Sequence, residues 1–519
     1  MYHPTVRDLL GNAAAAAPDS VALRVPETDR TLRYGAWDAR VTRVANGLLD
    51  MGVRPGDHLS VCRHDSPELL TLLFAAAEVG VVVNPISPRA PPGRLEYILT
   101  DAEADVLACD ARTLETARQV DADVRPDVLV APGTRGADAS VTTTVDALAG
   151  APGTDPDVDV DEDDYALLLY TSGTTGEPKG VVHTHRNVVE ADFAGIPFNR
   201  LRPSDASLAL GPLYHVGPLL ANFMPALHVG ATNVLFDDFD AGTVLDYVEK
   251  EGVTAMWGVP THFNAITNHE GATERDLAGV RMIQYSGSAM PREVVRQCRA
   301  LFPDVEFVNA YGTTEIVFAT ALYPEDHDDH LGSIGRAVPN AEVRVVDPEA
   351  LDPEMTVERG EVGELLVKTP TRMVEYWNLP ERTAEAFVGP DGEWYRTGDL
   401  GRRDESGYLY FVDRTDNMIN TGGENVYPAE VEEVLYEHPD VEEVAVVGVP
   451  DEEWGQVVAA AVVPADPALD AETLDAFVRE SDDIEEFKRP RRYVFREALP
   501  MTQSDKIARE ELVEDLRDE

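Results

Sequence analysis

The sequence predicts an α/β protein that consists of a large N-terminal domain of layered sheets and helices and a small α+β C-terminal domain. Strand-like and helix-like patterns alternate over roughly the first four hundred residues, as in layered α/β architectures. The 519 residues also exceed the roughly 250–300 residues at which a single hydrophobic core stops growing. The pattern changes between Asp413 and Gly423. We therefore place the two domains at residues 1–415 and 416–519.

The individual elements follow from short apolar runs and the segments beside them. In the N-terminal domain we predict a strand at 59–62 before a helix at 68–77, a strand at 79–83 before a proline-rich loop, a strand at 166–170 after the acidic connector 151–164, and a strand at 255–259 before a helix near residue 261. In the C-terminal domain we predict a helix at 428–437, strands at 441–449 and 457–463, and a helix at 471–480.

The charge balance excludes polyanionic partners. The chain carries 95 acidic and 43 basic side chains, a formal net charge of −52, and such a field repels nucleic acids and anionic membrane surfaces. Only five of the basic residues are lysines. An acidic, lysine-poor surface is typical of proteins from cells that accumulate salt, where about 1 M salt screens charges within roughly 3 Å. The alternative is an acidic protein that needs no salt.

The cysteines and the N-terminus predict a cytoplasmic protein. Cys62, Cys109 and Cys298 are odd in number and form no Cys-x-x-Cys pair, which argues against a disulfide framework or a structural zinc site. The N-terminus shows no signal-peptide pattern, and no apolar run reaches the ~20 residues of a membrane span.

The strongest chemical signal is the segment YTSGTTGEPKG at residues 170–180. Small hydroxyl and glycine residues between two apolar runs allow successive backbone N–H groups to surround phosphate oxygens, and Lys179 adds a positive charge. The segment is not a Walker motif, because Pro178 precedes the lysine and Gly180 follows it. It predicts a phosphate-binding loop.

This loop resembles that of the acyl-adenylate-forming superfamily, which includes acyl-CoA synthetases, adenylation domains of peptide synthetases and beetle luciferases. The resemblance continues over nearly the whole chain through further segments in the same order: GPLYHVG at 211–217, YSGSAMP at 285–291, NAYGTTE at 309–315, WYRTGDL at 394–400, DRTDNMI at 413–419, GGENVYP at 422–428 and PMTQSDK at 500–506.

The resemblance implies an AMP-forming carboxylate–CoA ligase that uses ATP, Mg²⁺ and coenzyme A. The implied nucleotide-site residues are Thr171, Ser172, Gly173, Thr174, Thr175, Gly176 and Lys179 at the phosphates, Ser288, Ala289, Asn309, Ala310, Tyr311 and Gly312 at the adenine, Thr314 at the α-phosphate, Glu315 at Mg²⁺, and Asp399 and Arg414 at the ribose. The implied acyl pocket contains His215, Val216, Trp257 and Val259, with His215 as a gate or shape element.

The resemblance also implies that the C-terminal domain is mobile. Asp416 falls at the hinge, Lys506 is the catalytic lysine, and Gly422, Gly423 and Glu424 lie on the path of the CoA arm. A carboxylate that attacks the α-phosphate brings two anions together, so catalysis depends on positioning and charge neutralisation. A lysine ammonium can contact the carboxylate and the phosphate together, which suits Lys506 to this role.

The acid substrate and the wider function leave alternatives. The apolar pocket favours medium- or long-chain fatty acids, with aryl or short-chain acids as the second choice. An amino-acid-activating domain would place an aspartate near the histidine segment, whereas this chain has YHVG at 214–217. A luciferase-like oxygenase would be a specialisation of the same adenylation step. From another class, a nucleotide-binding regulator without catalysis would not require Lys506, Glu315 and Asp399.

Overall fold

The structure is a computed structural model. It describes residues 3–126, 128–131, 142–171, 178–287, 290–422, 424–451, 454–481, 484–501 and 507–517.

The strands of the described residues are β1 Val21–Val25, β2 Arg30–Arg33, β3 His58–Cys62, β4 Val82–Ile86, β5 Val106–Cys109, β6 Val128–Val130, β7 Tyr165–Thr171, β8 Lys179–Thr184, β9 Ala206–Ala209, β10 Thr232–Val234, β11 Ala255–Gly258, β12 Met282–Ser286, β13 Glu306–Tyr311, β14 Thr320–Leu322, β15 Arg336–Ala337, β16 Glu342–Val346, β17 Val362–Lys368, β18 Glu375–Tyr376, β19 Phe387–Val388, β20 Trp394–Arg403, β21 Leu409–Arg414, β22 Ile419–Thr421, β23 Glu424–Val426, β24 Val441–Asp451, β25 Gly455–Pro464 and β26 Arg492–Phe495.

The α-helices of the same residues are α1 Val6–Ala16, α2 Tyr34–Asp50, α3 Pro67–Glu78, α4 Pro92–Asp101, α5 Leu114–Gln119, α6 Val145–Leu148, α7 His185–Asn199, α8 Met224–His228, α9 Ala241–Glu251, α10 Pro260–Asn268, α11 Arg292–Leu301, α12 Pro380–Ala386, α13 Pro428–Tyr436, α14 Ala471–Glu480 and α15 Arg509–Arg517. A π-helical segment, Gly217–Phe223, precedes α8.

Two large, mainly parallel sheets form the centre of the fold. One has the strand order β15-β14-β13-β12-β11-β9-β10-β1-β2 and is parallel from β13 to β1; the other has the order β18-β8-β7-β4-β3-β5-β6 and is parallel from β7 to β6. One apolar cluster joins residues of both sheets to residues of α2, α3, α7 and α8. Parallel sheets of this kind place functional loops at the carboxyl ends of their strands.

Two smaller antiparallel sheets complete the molecule. The first has the order β16-β17-β20-β19, with β21 paired to β20. The second has the order β23-β22-β25-β24, with β26 parallel to β25, and lies entirely after residue 418 together with α13, α14 and α15. The α/β architecture and the α+β character of the C-terminal part are therefore confirmed.

Most of the predicted elements occur where the sequence placed them, and one strand is displaced. The strand predicted at residues 79–83 begins at Val82 instead, because α3 continues to Glu78 and Val79 caps it. Gly80 then adopts a φ of 68°, a left-handed turn conformation that glycine accepts readily. The three cysteines are free and buried.

Candidate active site

Asp399 is the centre of a buried polar group formed by strands from two sheets. Antiparallel pairing of β20 with β21 sets Asp399 opposite Arg414, and Nη1 of Arg414 donates to Oδ1 of Asp399 at 3.0 Å. The hydroxyl of Tyr311, at the end of β13, donates to Oδ2 at 2.5 Å. Asp399 is only 4% exposed. Both carboxylate oxygens are thus held by donors from different parts of the chain.

The charge of Asp399 and the burial of Tyr311 keep the proton on the tyrosine. Burial and the negative charge of Asp399 raise the pKa of Tyr311 well above its usual range, so the phenol keeps its proton and acts as the donor. Gly398 precedes Asp399 with a φ of 70°, and a Cβ at that position would lie 3.1 Å from Nη2 of Arg414. A glycine here allows the guanidinium to approach the backbone closely.

A second group surrounds Glu315, which is 9% exposed. The hydroxyl of Tyr376 donates to Oε1 of Glu315 at 2.7 Å. Lys179 Nζ lies 4.5 Å from the centre of the Tyr376 ring, a distance suited to a cation–π contact. Because β18 pairs with β8, the strand that begins at Lys179 brings the end of the predicted phosphate loop beside Glu315.

The backbone between Tyr311 and Glu315 is tightly constrained. A Cβ at Gly312 would overlap the carbonyl oxygen of Val317, so only glycine fits there. Val317 has a φ of 55°, a conformation that costs a β-branched residue about 1–3 kcal/mol and that is often found at functional sites. His183 Nε2 donates to the Thr314 carbonyl at 2.7 Å, and burial lowers the pKa of His183 to about 4. A neutral histidine therefore supports the segment.

The segment predicted to form the acyl pocket packs around an indole ring. Trp257, on β11 and 4% exposed, lies so close to the chain that a Cβ at Gly217 would be 2.5 Å from a ring carbon and one at Gly211 would be 3.1 Å from another. His215 lies between these glycines, with its ring centre 4.2 Å from that of Tyr214. The structure thus brings Trp257 and the histidine segment together. Val216 is partly buried and Val259 is buried.

Three other residues predicted for the nucleotide site have structural contacts. Asn309 donates its side-chain amide to the carbonyl of Ser333 at 2.9 Å. Ala310 is buried beside it. Thr171 at the end of β7 is the register partner of Lys179, so both ends of the phosphate loop are fixed on neighbouring strands.

The residues predicted for the hinge and the CoA path follow the Asp399 group in the chain, starting two residues after Arg414. Asp416 is exposed in the turn between β21 and β22, and Glu424 is exposed on β23. Gly422 has a φ of 64°, and its N–H donates to the carbonyl of Trp454 at 2.9 Å. A Cβ at Gly422 would lie 2.7 Å from the indole of Trp454, so a larger residue would displace that ring.

Several predicted residues lie outside the described parts of the chain: Ser172, Gly173, Thr174, Thr175, Gly176, Ser288, Ala289, Gly423 and Lys506.

Sequence reasoning missed Tyr376, His183 as a support for Thr314, and Tyr395, whose hydroxyl lies 3.5 Å from that of Tyr376. Tyr395 stands in the WYRTGDL segment that also contains Asp399, so that segment could have identified Tyr395 as a candidate site residue. Tyr376 belongs to a two-residue strand, and only the pairing of that strand with β8 brings it to Glu315.

The chemistry of Glu315 fits a magnesium ion bound together with substrate phosphates. In the part of the chain that the structure describes, no group of three or more histidine, cysteine, aspartate or glutamate side chains could hold a metal by itself. Mg²⁺ in phosphate-transfer sites commonly takes one or two carboxylates and completes its shell with phosphate and water.

No helix among the described residues is both long enough and apolar enough to span a membrane.

Comparison with known proteins agrees with this arrangement. The sequence profile of the family described as "AMP-binding enzyme" matches residues 10–377, and that of "AMP-binding enzyme C-terminal domain" matches residues 430–506. The chain is 37% identical to a feruloyl-CoA synthase of Amycolatopsis sp over 96% of both chains. It is 33% identical to the long-chain-fatty-acid–CoA ligase FadD13 of Mycobacterium tuberculosis, also over 96% of both.

A solved structure shows the same similarity in three dimensions. The anthranilate CoA ligase AuaEII, in complex with anthranoyl-AMP, superposes with a TM-score of 0.91 at 28% identity, covering 99% of this chain and 97% of that chain. The chain therefore belongs to the AMP-binding enzyme family, in the acyl-adenylate-forming superfamily, as an AMP-forming acyl-CoA ligase that uses ATP and coenzyme A.

Proposed function

We propose that this ligase activates an aromatic carboxylic acid, first as an acyl-adenylate with release of pyrophosphate and then as a CoA thioester with release of AMP. The observation that carries the choice of acid is the position of Trp257. Its indole is buried against Gly211 and Gly217, so it would shorten an acyl pocket formed beside the histidine segment. A compact, flat acyl group suits such a pocket better.

The Asp399 group supports a nucleotide site. Asp399 would accept the ribose hydroxyls while Arg414 holds the carboxylate in place, and the ring of Tyr311 would stack on the adenine. Thr171 and Lys179 flank the loop that would surround the phosphates, with Ser172, Gly173, Thr174, Thr175 and Gly176 as its predicted members.

Glu315 would hold Mg²⁺, and the ion would neutralise phosphate charge when bound. Tyr376 fixes the orientation of Glu315 by its hydrogen bond. The neighbouring Thr314 is the predicted contact of the α-phosphate, and Lys506 the residue that would bridge the attacking carboxylate and that phosphate.

We also propose that residues 416–519 move as a unit about Asp416. An exposed turn residue between two strands suits a change of backbone angles, and the sheet and helices that follow form their own apolar clusters. In one orientation Lys506 would face the nucleotide. In the other, Gly422, Gly423 and Glu424 would line the path of the CoA thiol.

The fatty-acid preference that the sequence favoured is not confirmed, and a long-chain acid is the second candidate because of the relative FadD13. The aromatic candidate is supported by the feruloyl-CoA synthase relative and the anthranilate ligase structure.

The test is a panel of benzoates, cinnamates and saturated fatty acids supplied with ATP, Mg²⁺ and CoA, scored for AMP and for thioester. We expect the highest kcat/KM with an aromatic acid. A preference for chains of twelve or more carbons, on the order of tenfold, would contradict the proposed acid class, and absence of AMP with every acid would contradict the ligase itself.

A further inference from the structure

Gln284 and Trp257 are neighbours on the same face of the nine-stranded sheet. They are register partners in the parallel pair β11 and β12, so their side chains leave the sheet in the same direction. The indole of Trp257 lies against Gly211 and Gly217, the two glycines that bracket the histidine segment. Gln284 therefore stands at the same wall of the proposed acyl pocket as Trp257.

The position of Gln284 along β12 also shows how far it lies from Tyr311, which we propose to bind the adenine. Ser286 of β12 is the register partner of Ala310, the residue before Tyr311. Gln284 is two residues earlier on the strand, on the same face as Ser286 and about 6.6 Å deeper at the usual rise per residue. An acyl group that extends from the adenylate along this face would reach Gln284 with its far end.

Both side chains have polar atoms that the protein does not satisfy. Gln284 is 2% exposed and Trp257 is 4% exposed. The amide nitrogen and oxygen of Gln284 and the indole nitrogen of Trp257 are buried without a hydrogen-bond partner in the protein. The large majority of buried side-chain polar atoms in proteins are hydrogen-bonded, so three unbonded atoms on two cross-strand neighbours point to a partner that arrives with the substrate.

The chemistry of these atoms identifies that partner. The side-chain amide of Gln284 offers an acceptor oxygen and an NH₂ group that can donate two hydrogen bonds, and the indole of Trp257 offers one N–H donor. A hydroxyl group can donate to Oε1 of Gln284 and accept from Nε1 of Trp257 at once, whereas an alkyl or unsubstituted aryl tail can do neither. The flanking positions in the same register are Ala209 and Val308. They offer no charge to pair with an ammonium or a second carboxylate, so a neutral group is favoured.

We propose that Gln284 and Trp257 form a hydroxyl-recognition point at the end of the acyl pocket and that the enzyme selects carboxylic acids with a hydroxyl on the acyl tail. This inference rests on the proposed function and narrows its substrate class. A pocket built to bond a hydroxyl rejects the analogue that lacks it, because its own polar atoms are then left unpaired.

The experiment compares acid pairs that differ by one hydroxyl: 3- and 4-hydroxycinnamate against cinnamate, and 3- and 4-hydroxybenzoate against benzoate. We expect kcat/KM for AMP formation to favour at least one hydroxylated acid by about 10- to 100-fold in the wild type. Gln284→Met keeps the length of the side chain and removes its hydrogen-bonding atoms, and we expect this ratio to fall to about one. Trp257→Phe should reduce the ratio less, because the amide remains.

A stability measurement keeps the proposal testable apart from turnover. Because Gln284→Met replaces an unsatisfied buried amide by an apolar group, we expect its thermal midpoint without ligands to rise above that of the wild type. Gln297→Met is the matched control, since its amide oxygen accepts from the hydroxyl of Thr267 at 3.1 Å. It should leave the hydroxyl ratio unchanged and should not raise the midpoint.

Equal rates for both members of every pair in the wild type would overturn the inference and leave the ligase intact. The inference also fails if Gln284→Met lowers both members equally, or lowers the midpoint, since the amide would then have a structural or water-bound role. No AMP from any acid, parent acids included, would overturn the proposed function and this inference together.

Discussion

The hydrogen bond from Tyr376 to Glu315 offers the most direct test of the proposed metal site. Tyr376→Phe removes one hydroxyl and keeps the ring that Lys179 contacts at 4.5 Å, so the packing around β18 should be retained. The bond is 2.7 Å long, buried, and made to a carboxylate. A hydrogen bond to a charged group contributes about 1.5–3 kcal/mol.

Loss of the hydrogen bond from Tyr376 to Glu315 should weaken the binding of Mg²⁺ by a corresponding amount. At about 1.4 kcal/mol per factor of ten, loss of the bond corresponds to roughly a 10- to 100-fold effect, which is also the range measured when residues that orient metal ligands are removed. We therefore expect the Mg²⁺ concentration for half-maximal AMP formation to rise about 10- to 100-fold in Tyr376→Phe, measured at fixed ATP with saturating acid and CoA.

Tyr165→Phe is the matched control. The hydroxyl of Tyr165 donates to Glu375 at 3.1 Å, so this variant removes the same kind of bond one residue away from Tyr376 without touching Glu315. Its Mg²⁺ titration should overlay that of the wild type. If the titration of Tyr376→Phe overlays it as well, the assignment of Glu315 as the metal-binding carboxylate is refuted.

Three further predictions concern other parts of the molecule. Lys506→Ala should abolish acyl-adenylate formation and largely retain CoA transfer from a supplied acyl-adenylate; equal loss of both half-reactions would count against the role of Lys506. Burial, aided by Asp237 and Asp238, raises the pKa of Asp65 from 3.8 to about 8. Folding therefore favours its protonated form, and its contribution to stability falls as pH rises through this window. Asp65→Asn should accordingly raise the thermal midpoint more at pH 9 than at pH 5, because pH 5 lies near the lower end of this window, and equal shifts at both pH values would contradict this. Finally, the net charge of −52 predicts that activity and thermal midpoint rise between 0.1 M and 2 M KCl, whereas full activity in dilute buffer would exclude adaptation to salt.

Much of the fold followed from local patterns because those patterns are strong in this chain. The helix Ala471–Glu480 was predicted to the residue, and the strand Val441–Asp451 was predicted two residues too short. The strand at Val82 was displaced because an apolar run that contains both a helix end and a strand start has no internal marker except Gly80. The domain boundary and the roles of the site residues stay predictions.

The sequence could name candidate residues that stand in recognisable segments, and it missed residues whose position matters only through the pairing of distant strands. Asp399 and Arg414 stood in two recognisable segments, and a hairpin pairing brings them together. Tyr376 and Gln284 carry no motif. Their significance comes from strand pairings with β8 and β11 and from the hydrogen bonds that they make or lack, none of which a single sequence displays.

The lysines show how so acidic a chain could bind two anionic substrates. Among the described lysines, Lys250, Lys368 and Lys488 each form an ion pair with a carboxylate, so their charges are already compensated. Lys179 instead lies over the ring of Tyr376, and an aromatic ring attracts a cation without neutralising it. Its charge thus remains available at the phosphate loop.

The repulsion between the acidic protein and ATP is long-ranged and screened by salt, whereas the ammonium of Lys179 would act at contact distance, where screening is weak. Salt should therefore improve the approach of ATP without abolishing the contribution of Lys179, and Lys179→Met should weaken ATP binding at 2 M KCl as well as at 0.1 M. A loss confined to low salt would show that Lys179 acts only through the general field.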